Sequence, residues 1–217
     1  MITIDWRGQG LSDRPLPDPR AGHVGDFAEY QEDLQAMLDE AGRARLPKPY
    51  YMLAHSMGGA IGLRALMRGL PFAAAVFSAP MWGIAMAPWL RPVAMAATAL
   101  VGPLRIGHHY APTTSADCYL LTQSFEGNAL TRDREMWSYM RRQVEAVPEL
   151  ALGGPTMTWL GLALRECAAL LAAPAPDVPT ICALGTLEAV VDVPSVHLRM
   201  AAWANGQLDL YPGGAHE

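Results

Sequence analysis

Apolar and polar positions repeat along this chain in two different periods, and the changes of period outline its elements. Short apolar or β-branched runs bounded by turn residues predict buried strands at residues 2–6, 48–54, 72–78, 179–185 and 207–211. Apolar residues at helical spacing predict helices over residues 26–41, 57–68 and 194–203. The first helix is expected to begin with a capping box formed by Asp26 and Glu29. The order strand, helix, strand, helix, strand predicts an α/β fold with a mostly parallel sheet and flanking helices.

The middle of the chain has a different pattern. Residues 81–177 are rich in Met, Trp and Leu, are interrupted by prolines and contain no clear strand pattern. Helical spacing is clearest over residues 132–147, entered through Thr131, and over residues 155–171. We therefore predict three segments: a first part of the core, an inserted helical cap or lid, and a second part of the core, over residues 1–80, 81–177 and 178–217.

Composition and charge narrow the classes of function. The chain has 217 residues, 51% apolar content and a net charge of -5, which fits one domain with an insertion. The acidic balance and the lack of a basic run predict no nucleic-acid partner. The three cysteines are widely spaced, so neither a disulfide framework nor a CxxC metal site is expected.

Two further sequence patterns bear on the cellular location of the protein. The longest charge-free apolar stretch, between Arg91 and Arg105, has 13 residues and is too short to span a bilayer. The first residues do not show a basic region followed by an apolar core, so no signal peptide is predicted. We expect a cytoplasmic protein.

The sequence LAHSMGG, residues 53–59, places Ser56 between a predicted buried strand and a predicted helix. A serine on such a sharp turn exposes its hydroxyl at the carboxyl edge of the sheet, where the N–H of the next residue, Met57, can stabilise an oxyanion. The usual pattern is GxSxG, and here Ala54 replaces the first glycine. The alternative is a glycine-rich helix start with an incidental serine.

Partners for a nucleophilic serine occur after two later strands. The loop after residues 179–185 contains Glu188 and Asp192, and the loop after residues 207–211 contains His216. The order serine, acid, histidine is the one that this sheet architecture imposes. Both carboxylates are candidates for the acid. His108 and His109 lack other ligand residues at suitable spacing, so no metal site is predicted.

Together with DWRGQGLSDR at residues 5–14, this constellation resembles the α/β-hydrolase superfamily, and LAHSMGG and GGAHE resemble its bacterial lysophospholipase and monoacylglycerol lipase branch, which is serine aminopeptidase S33-like. The resemblance implies Ser56 as nucleophile, His216 as general base and Glu188 as acid, with Asp192 as the alternative acid. It also implies an oxyanion donor from Met57 and no cofactor. The expected activity is hydrolysis of a carboxylic ester of a lipid.

The resemblance further implies a monoacylglycerol or lysophospholipid as substrate. The apolar side chains of the predicted cap either pack in a core or line an acyl groove and touch a membrane, and they include Met81, Trp82, Met86, Trp89 and Met95. Peripheral contact with the inner membrane face through this cap is thus an expectation. The sequence leaves the oligomeric state and the acyl-chain preference open.

The chain also departs from the resemblance. In the family, further strands and an HG motif that supplies a second oxyanion donor precede the strand at residues 2–6, and one absent strand lies between it and residues 49–54. A helix normally follows the histidine at His216. We therefore expect a fragment truncated at both ends. Two alternatives from other classes are a catalytically inactive hydrolase-like binding protein and a membrane-surface interaction module.

Overall fold

The computed structural model describes the backbone of residues 1–217 and the surroundings of every residue except Gly102. Its strands are β1 Tyr50–His55, β2 Phe72–Ser78, β3 Thr180–Gly185 and β4 Gly206–Tyr211. Its α-helices are α1 Glu29–Arg43, α2 Met57–Met67, α3 Leu90–Ala99, α4 Val101–Leu104, α5 Tyr119–Thr122, α6 Arg134–Ala146, α7 Met157–Ala172 and α8 Val193–Ala201. Short 3-10 helices occupy Phe125–Gly127 and Pro148–Leu150.

The four strands form one parallel sheet in the order β1-β2-β3-β4. Val76 on β2 is aligned with Leu53 on β1 and with Ile181 on β3, and Ile181 is aligned in turn with Gln207 on β4. The predicted parallel α/β sheet is therefore confirmed. Because the strands are parallel, the loops after β1, β3 and β4 leave from the same edge.

The two faces of the sheet are buried to different degrees. On one face Phe77, Cys182 and Leu184 are almost completely inaccessible, and the Phe77 ring packs edge-on against Trp82 at 5.1 Å. On the other face the apolar side chains are accessible to solvent; the exposed fraction is 69% for Tyr51, 74% for Leu53, 38% for Val76 and 42% for Ile181. The apolar core of the sheet thus lies on one side only.

The strand predicted at residues 2–6 does not form, and this prediction is wrong. A strand needs a neighbour to accept and donate ladder hydrogen bonds, and the polar groups of this segment are used locally instead. The Asp5 carboxylate accepts from the Leu11 amide at 2.9 Å, and the Asp5 carbonyl accepts from the Ser12 hydroxyl at 2.6 Å. The motif at residues 5–14 is consequently a hydrogen-bonded loop, with Gly8 and Gly10 at positive φ.

Two predicted helix starts also need correction. The Asp26 carboxylate accepts from the Ala28 amide at 2.9 Å, but Glu29 forms an ion pair with Arg7 at 2.5 Å, so the predicted capping box does not form. The helix predicted to be entered through Thr131 begins at Arg134 instead. Its N-cap is Asp133, whose carboxylate accepts from the amides of Glu135 and Met136.

The chain forms two compact units. The first, which contains α1, α3–α6 and the loop at residues 5–14, comprises Met1–Ala44, Ala87–Asn128 and Asp133–Ala163. The second, which contains the whole sheet, α2 and α8, comprises Arg45–Met86, Ala129–Arg132 and Leu164–Glu217. The division into two core segments and a cap stays a prediction.

Candidate active site

Ser56 lies on a strained turn between β1 and α2. Its backbone has φ 50° and ψ -121°, a conformation that a side-chain-bearing residue rarely adopts. Three hydrogen bonds hold the turn: the Ser56 amide donates to the Ser78 carbonyl at 3.1 Å, and its carbonyl accepts from the amides of Gly59 and Met81, both at 2.8 Å. The surrounding backbone therefore fixes the position of the serine hydroxyl.

The small residues of the turn differ in what they permit. A Cβ built on Gly59 would lie 2.5 Å from the Cβ of Pro80, so only glycine fits there. A Cβ on Gly58 would meet no atom within 4 Å. A small residue is therefore required where α2 contacts Pro80, and not at Gly58.

The loops that follow β3 and β4 are fastened to each other by backbone contacts. The Leu187 amide donates to the Gly214 carbonyl at 2.8 Å. Gly185 approaches the same carbonyl so closely that a Cβ there would lie 2.3 Å from its oxygen. Because Glu188 lies in the first loop and His216 in the second, these contacts set the distance between the two side chains.

Ser56, His216 and Glu188 form a continuous chain of hydrogen-bonding groups. Nε2 of His216 lies 2.9 Å from Oγ of Ser56, and Nδ1 lies 2.8 Å from Oε2 of Glu188. The exposed fraction is 4% for the His216 side chain and 0% for that of Glu188. A carboxylate only accepts, so Nδ1 carries the proton, and the unprotonated Nε2 faces the serine hydroxyl. This arrangement can remove the hydroxyl proton.

The Glu188 carboxylate is held in its charged form. Burial raises the pKa of Glu188, but hydrogen bonds from His216 and from the amides of Val190 and Val191 lower it more, so that the pKa lies below its ordinary value. The two amides donate to Oε1 at 2.6 Å and 3.1 Å. Its second oxygen remains available for the imidazole.

Asp192, the alternative acid, has a different place. It is the N-cap of α8, where its carboxylate accepts from the Ser195 amide at 3.2 Å and makes a short hydrogen bond with the Ser195 hydroxyl. An aspartate at this position stabilises the helix start. The structure thus brings Glu188 to the imidazole of His216 and uses Asp192 as a helix cap.

Met57, the predicted oxyanion donor, is the first residue of α2. The helix dipole places partial positive charge at the start of a helix. The Met57 amide directly follows Ser56, which is the relation that an oxyanion donor requires.

Two further side chains at this site were not assigned a role from the sequence. Nδ1 of His55 lies 3.0 Å from the Ser78 carbonyl, and Nε2 lies 3.3 Å from Oε1 of Glu217. The rings of His55 and His216 are 4.8 Å apart between centroids. The position of His55 directly before the nucleophile predicts a structural and not a catalytic side chain. The only signal in the sequence was the glutamate that follows the histidine of GGAHE.

His55 and Glu217 each shift the pKa of the other. Burial lowers the pKa of His55, but the facing carboxylate of Glu217, the Ser78 carbonyl and the charge of Glu188 together raise it more, and the net pKa lies above its ordinary value. The neighbouring His55 imidazole lowers the pKa of Glu217 against the opposing effect of burial. Both shifts favour the charged forms.

Neither a metal cluster nor a membrane-spanning helix is present among the described residues. No group of three or more His, Cys, Asp or Glu side chains in this part of the chain is arranged to hold a metal ion. None of the helices that the structure describes combines the length and the apolar character needed to cross a bilayer.

Comparison with known protein families and sequences gives consistent results. The model of a hydrolase family described as serine aminopeptidase, S33, matches residues 1–217. Lysophospholipase L2 of Escherichia coli strain K12 is 34% identical over 197 residues, which is 88% of this chain and 56% of that protein. Probable lysophospholipase L2 of Haemophilus influenzae is 26% identical over 219 residues, 100% of this chain and 68% of that protein. The chain therefore spans little more than half of the first relative.

Solved structures resemble the whole chain at low sequence identity. A soluble variant of monoglyceride lipase from Saccharomyces cerevisiae, solved with a substrate analog, has a TM-score of 0.67 at 21% identity and covers 98% of this chain and 68% of its own. An α/β-hydrolase fold protein from Burkholderia ambifaria has a TM-score of 0.54 at 21% identity, over 98% and 72%. The predicted α/β-hydrolase fold is confirmed.

Proposed function

The chain belongs to the serine aminopeptidase S33 family of α/β-hydrolases, and we propose that it hydrolyses carboxylic esters of lipids through an acyl-enzyme on Ser56. The observation that carries this proposal is the buried chain of hydrogen-bonding groups from Ser56 through His216 to Glu188. The ester and lipid parts rest on the relatives, which are named lysophospholipase L2 and monoglyceride lipase. A monoacylglycerol or a lysophospholipid is the proposed substrate class.

The first half of the reaction forms the acyl-enzyme. Nε2 of His216 takes the proton of the Ser56 hydroxyl as its oxygen attacks the acyl carbonyl, and the resulting imidazolium is stabilised by the Glu188 carboxylate. The Met57 amide donates to the oxyanion that develops on the carbonyl oxygen. His216 then returns the proton to the leaving alcohol, and the C–O bond of the ester breaks.

The second half repeats these steps with water. His216 takes a proton from water while the hydroxide attacks the acyl carbonyl of the Ser56 ester. The same oxyanion donor acts, the bond to Oγ breaks, and the proton passes back from His216 to Ser56. The products are a fatty acid and the free enzyme. Apart from the substrate and water, these steps use only protein groups.

The decisive experiment is labelling with a fluorophosphonate ester, followed by mass spectrometry of the modified peptide. We expect an adduct on Ser56 and none in Ser56→Ala, with circular dichroism showing that both proteins are folded. Release of fatty acid from a monoacylglycerol and from lysophosphatidylcholine, compared with cleavage of an amino-acid p-nitroanilide, then separates ester from peptide substrates. A folded chain without an adduct on Ser56 would contradict the proposal and favour an inactive hydrolase-like binding protein.

We also propose that α3 and the residues flanking it form a membrane-contact segment. The exposed fraction is 69% for Trp89, 56% for Val93 and 57% for Leu100, and the only charged residues from 87 to 105 are two arginines. Exposed apolar side chains with a tryptophan and arginines are typical of helices that lie in a membrane interface. This segment would bring a lipid-hydrolysing protein to its substrate.

Vesicle co-sedimentation tests this second proposal. We expect the chain to sediment with phosphatidylglycerol-containing vesicles and Ser56→Ala to sediment equally. The double variant Trp89→Ser and Val93→Ser should remain in the supernatant because the apolar surface for the interface is lost. Equal sedimentation of that variant and the unmodified chain would contradict the role of α3.

A further inference from the structure

Two histidines stand side by side at the candidate active site, each facing a carboxylate. His216 faces Glu188, and His55 faces Glu217, with the rings 4.8 Å apart. The side chains of the second pair are about one-third exposed, 35% for His55 and 34% for Glu217, so this pair is less buried than the first. The mechanism proposed above uses the first pair and gives the second no part.

The hydrogen-bond partners of His55 determine its charge. Nδ1 faces the Ser78 carbonyl at 3.0 Å, and a carbonyl only accepts, so Nδ1 must carry a proton. Nε2 is buried, makes no hydrogen bond within the described residues, and has a Glu217 oxygen at 3.3 Å. A lone pair on Nε2 would face a negative charge, whereas a second proton forms an ion pair. The geometry therefore favours the imidazolium form of His55, whereas Nε2 of His216 must be unprotonated to act as a base.

Glu217 is held at two points. Its amide donates to the Leu130 carbonyl at 2.7 Å, and its carboxylate faces His55. Since Glu217 directly follows His216, both contacts restrain the loop that carries the imidazole. His55 is itself fixed, because it is the last residue of β1 and directly precedes Ser56. The pair thus links the nucleophile's strand to the histidine's loop.

We propose that His55 and Glu217 are a charged positioning pair, which holds His216 at Ser56 and places compensating charges beside its ring. The role in positioning rests on the proposed function, since it presumes that His216 is the general base. The charged groups that face the pair are His216 and Glu188, in addition to its own two members. Neither His55 nor Glu217 takes or gives a proton to the substrate.

The charge balance predicts an effect on the pH profile. In His55→Gln a positive charge beside His216 is lost while the Glu217 carboxylate keeps its negative charge, which favours a proton on the His216 ring, so the acid limb of the profile should move to higher pH. The loop also loses one of its two restraints, so the rate on the plateau should fall by about 10- to 100-fold through misplacement of the imidazole. If the His55 and Glu217 pair had a purely structural role, the variant would have a lower rate on the plateau, but the acid limb of its pH profile would not move.

The test compares rates of fluorophosphonate labelling between about pH 5 and pH 9, around the ordinary pKa of histidine, for the unmodified chain, Glu217→Gln, His55→Gln and the double variant. The two single variants should be slow, and the double variant should be no slower than the worse of them, since both remove one interaction. Glu166→Gln is the matched control, because it removes a carboxylate paired with Arg64 instead of His55. It should label like the unmodified chain.

Nitrogen NMR of labelled histidine gives a readout that does not require activity. The chain has six histidines, and His55 is assigned by its loss in His55→Gln. Its two ring nitrogens should show the imidazolium signature near pH 7 and revert to a neutral tautomer in Glu217→Gln. A neutral His55 in the unmodified chain, or unchanged labelling rates and pH profile in His55→Gln, would overturn the proposal.

The two readouts also separate this inference from the proposed function. An unmodified chain that shows the imidazolium but leaves Ser56 unlabelled contradicts the hydrolase mechanism and overturns the positioning role, while the ion pair itself is supported. Labelling of Ser56 with a neutral His55 supports the hydrolase mechanism and overturns the charged pair.

Discussion

One oxygen of Glu188 lies 2.8 Å from Nδ1 of His216, while its other oxygen accepts from two backbone amides. Every donor around this carboxylate therefore needs an acceptor in a fixed direction. A glutamine of the same shape has one acceptor oxygen and one NH2 group. The single oxygen of the glutamine can accept from the two amides or from Nδ1–H of His216, but not from both.

This relation predicts the effect of Glu188→Gln on catalysis. With the glutamine oxygen facing the amides, its NH2 group faces Nδ1 and favours the wrong tautomer of His216. The turnover number should fall by about 10³- to 10⁴-fold, measured by ester hydrolysis with the folded fraction checked by circular dichroism. Asp192→Asn is the matched control and should retain activity, since asparagine is also a good N-cap. Loss of activity in Asp192→Asn with activity retained in Glu188→Gln would identify Asp192 as the catalytic acid.

The lowered pKa of Glu188 predicts how its contribution to stability depends on pH. A carboxyl whose pKa is lower in the folded state stabilises the fold above its ordinary pKa, and this contribution is lost as the pH falls through the lower, folded value. The free energy of unfolding of the unmodified chain, relative to Glu188→Gln, should therefore decrease as the pH falls below about 5. Urea unfolding at several pH values measures it. A pH-independent difference would mean that the carboxyl is unperturbed.

The strained backbone of Ser56 predicts that an inactive glycine variant is more stable than an inactive alanine variant. At φ 50° and ψ -121° a side chain is strained, at a cost of about 1 to 3 kcal/mol. Glycine adopts this conformation without the strain. Ser56→Gly should thus raise the free energy of unfolding by about 1 kcal/mol relative to Ser56→Ala, since alanine keeps the Cβ. Equal stability of the two inactive variants in urea would show that the turn is not strained.

Much of the candidate site follows from local sequence. The motif at residues 53–59 identifies a strand, a turn and a helix, and the loops with Glu188 and His216 each follow an apolar run. Parallel strands with helical crossovers place these three loops at one edge. The spacing left two carboxylates open, because the difference between them is tertiary: Asp192 faces the first turn of its own helix, and Glu188 faces His216.

The structural features that could not be predicted from the sequence depend on contacts with residues far away in the chain. Residues 2–6 have the pattern of a strand, but an apolar run does not show whether a neighbouring strand exists to complete its hydrogen bonds. Glu29 was expected to cap α1 and instead pairs with Arg7, 22 residues away. The His55 and Glu217 pair joins the first and last segments of the second unit, and no short motif contains both residues.

Because the two faces of the sheet are buried to different degrees, substitutions on the two faces of β3 should lower the free energy of unfolding by different amounts. Ile181 is 42% exposed and Leu184 is 1% exposed, although both are large apolar residues of one strand. Leu184→Ala should lower the free energy of unfolding by about 2 to 5 kcal/mol, because it leaves a cavity. Ile181→Thr should change it by about 0.5 kcal/mol, because threonine suits a strand and little apolar surface is lost. Urea unfolding of both variants tests this, and a cost at Ile181 equal to that at Leu184 would mean that this face is covered in solution.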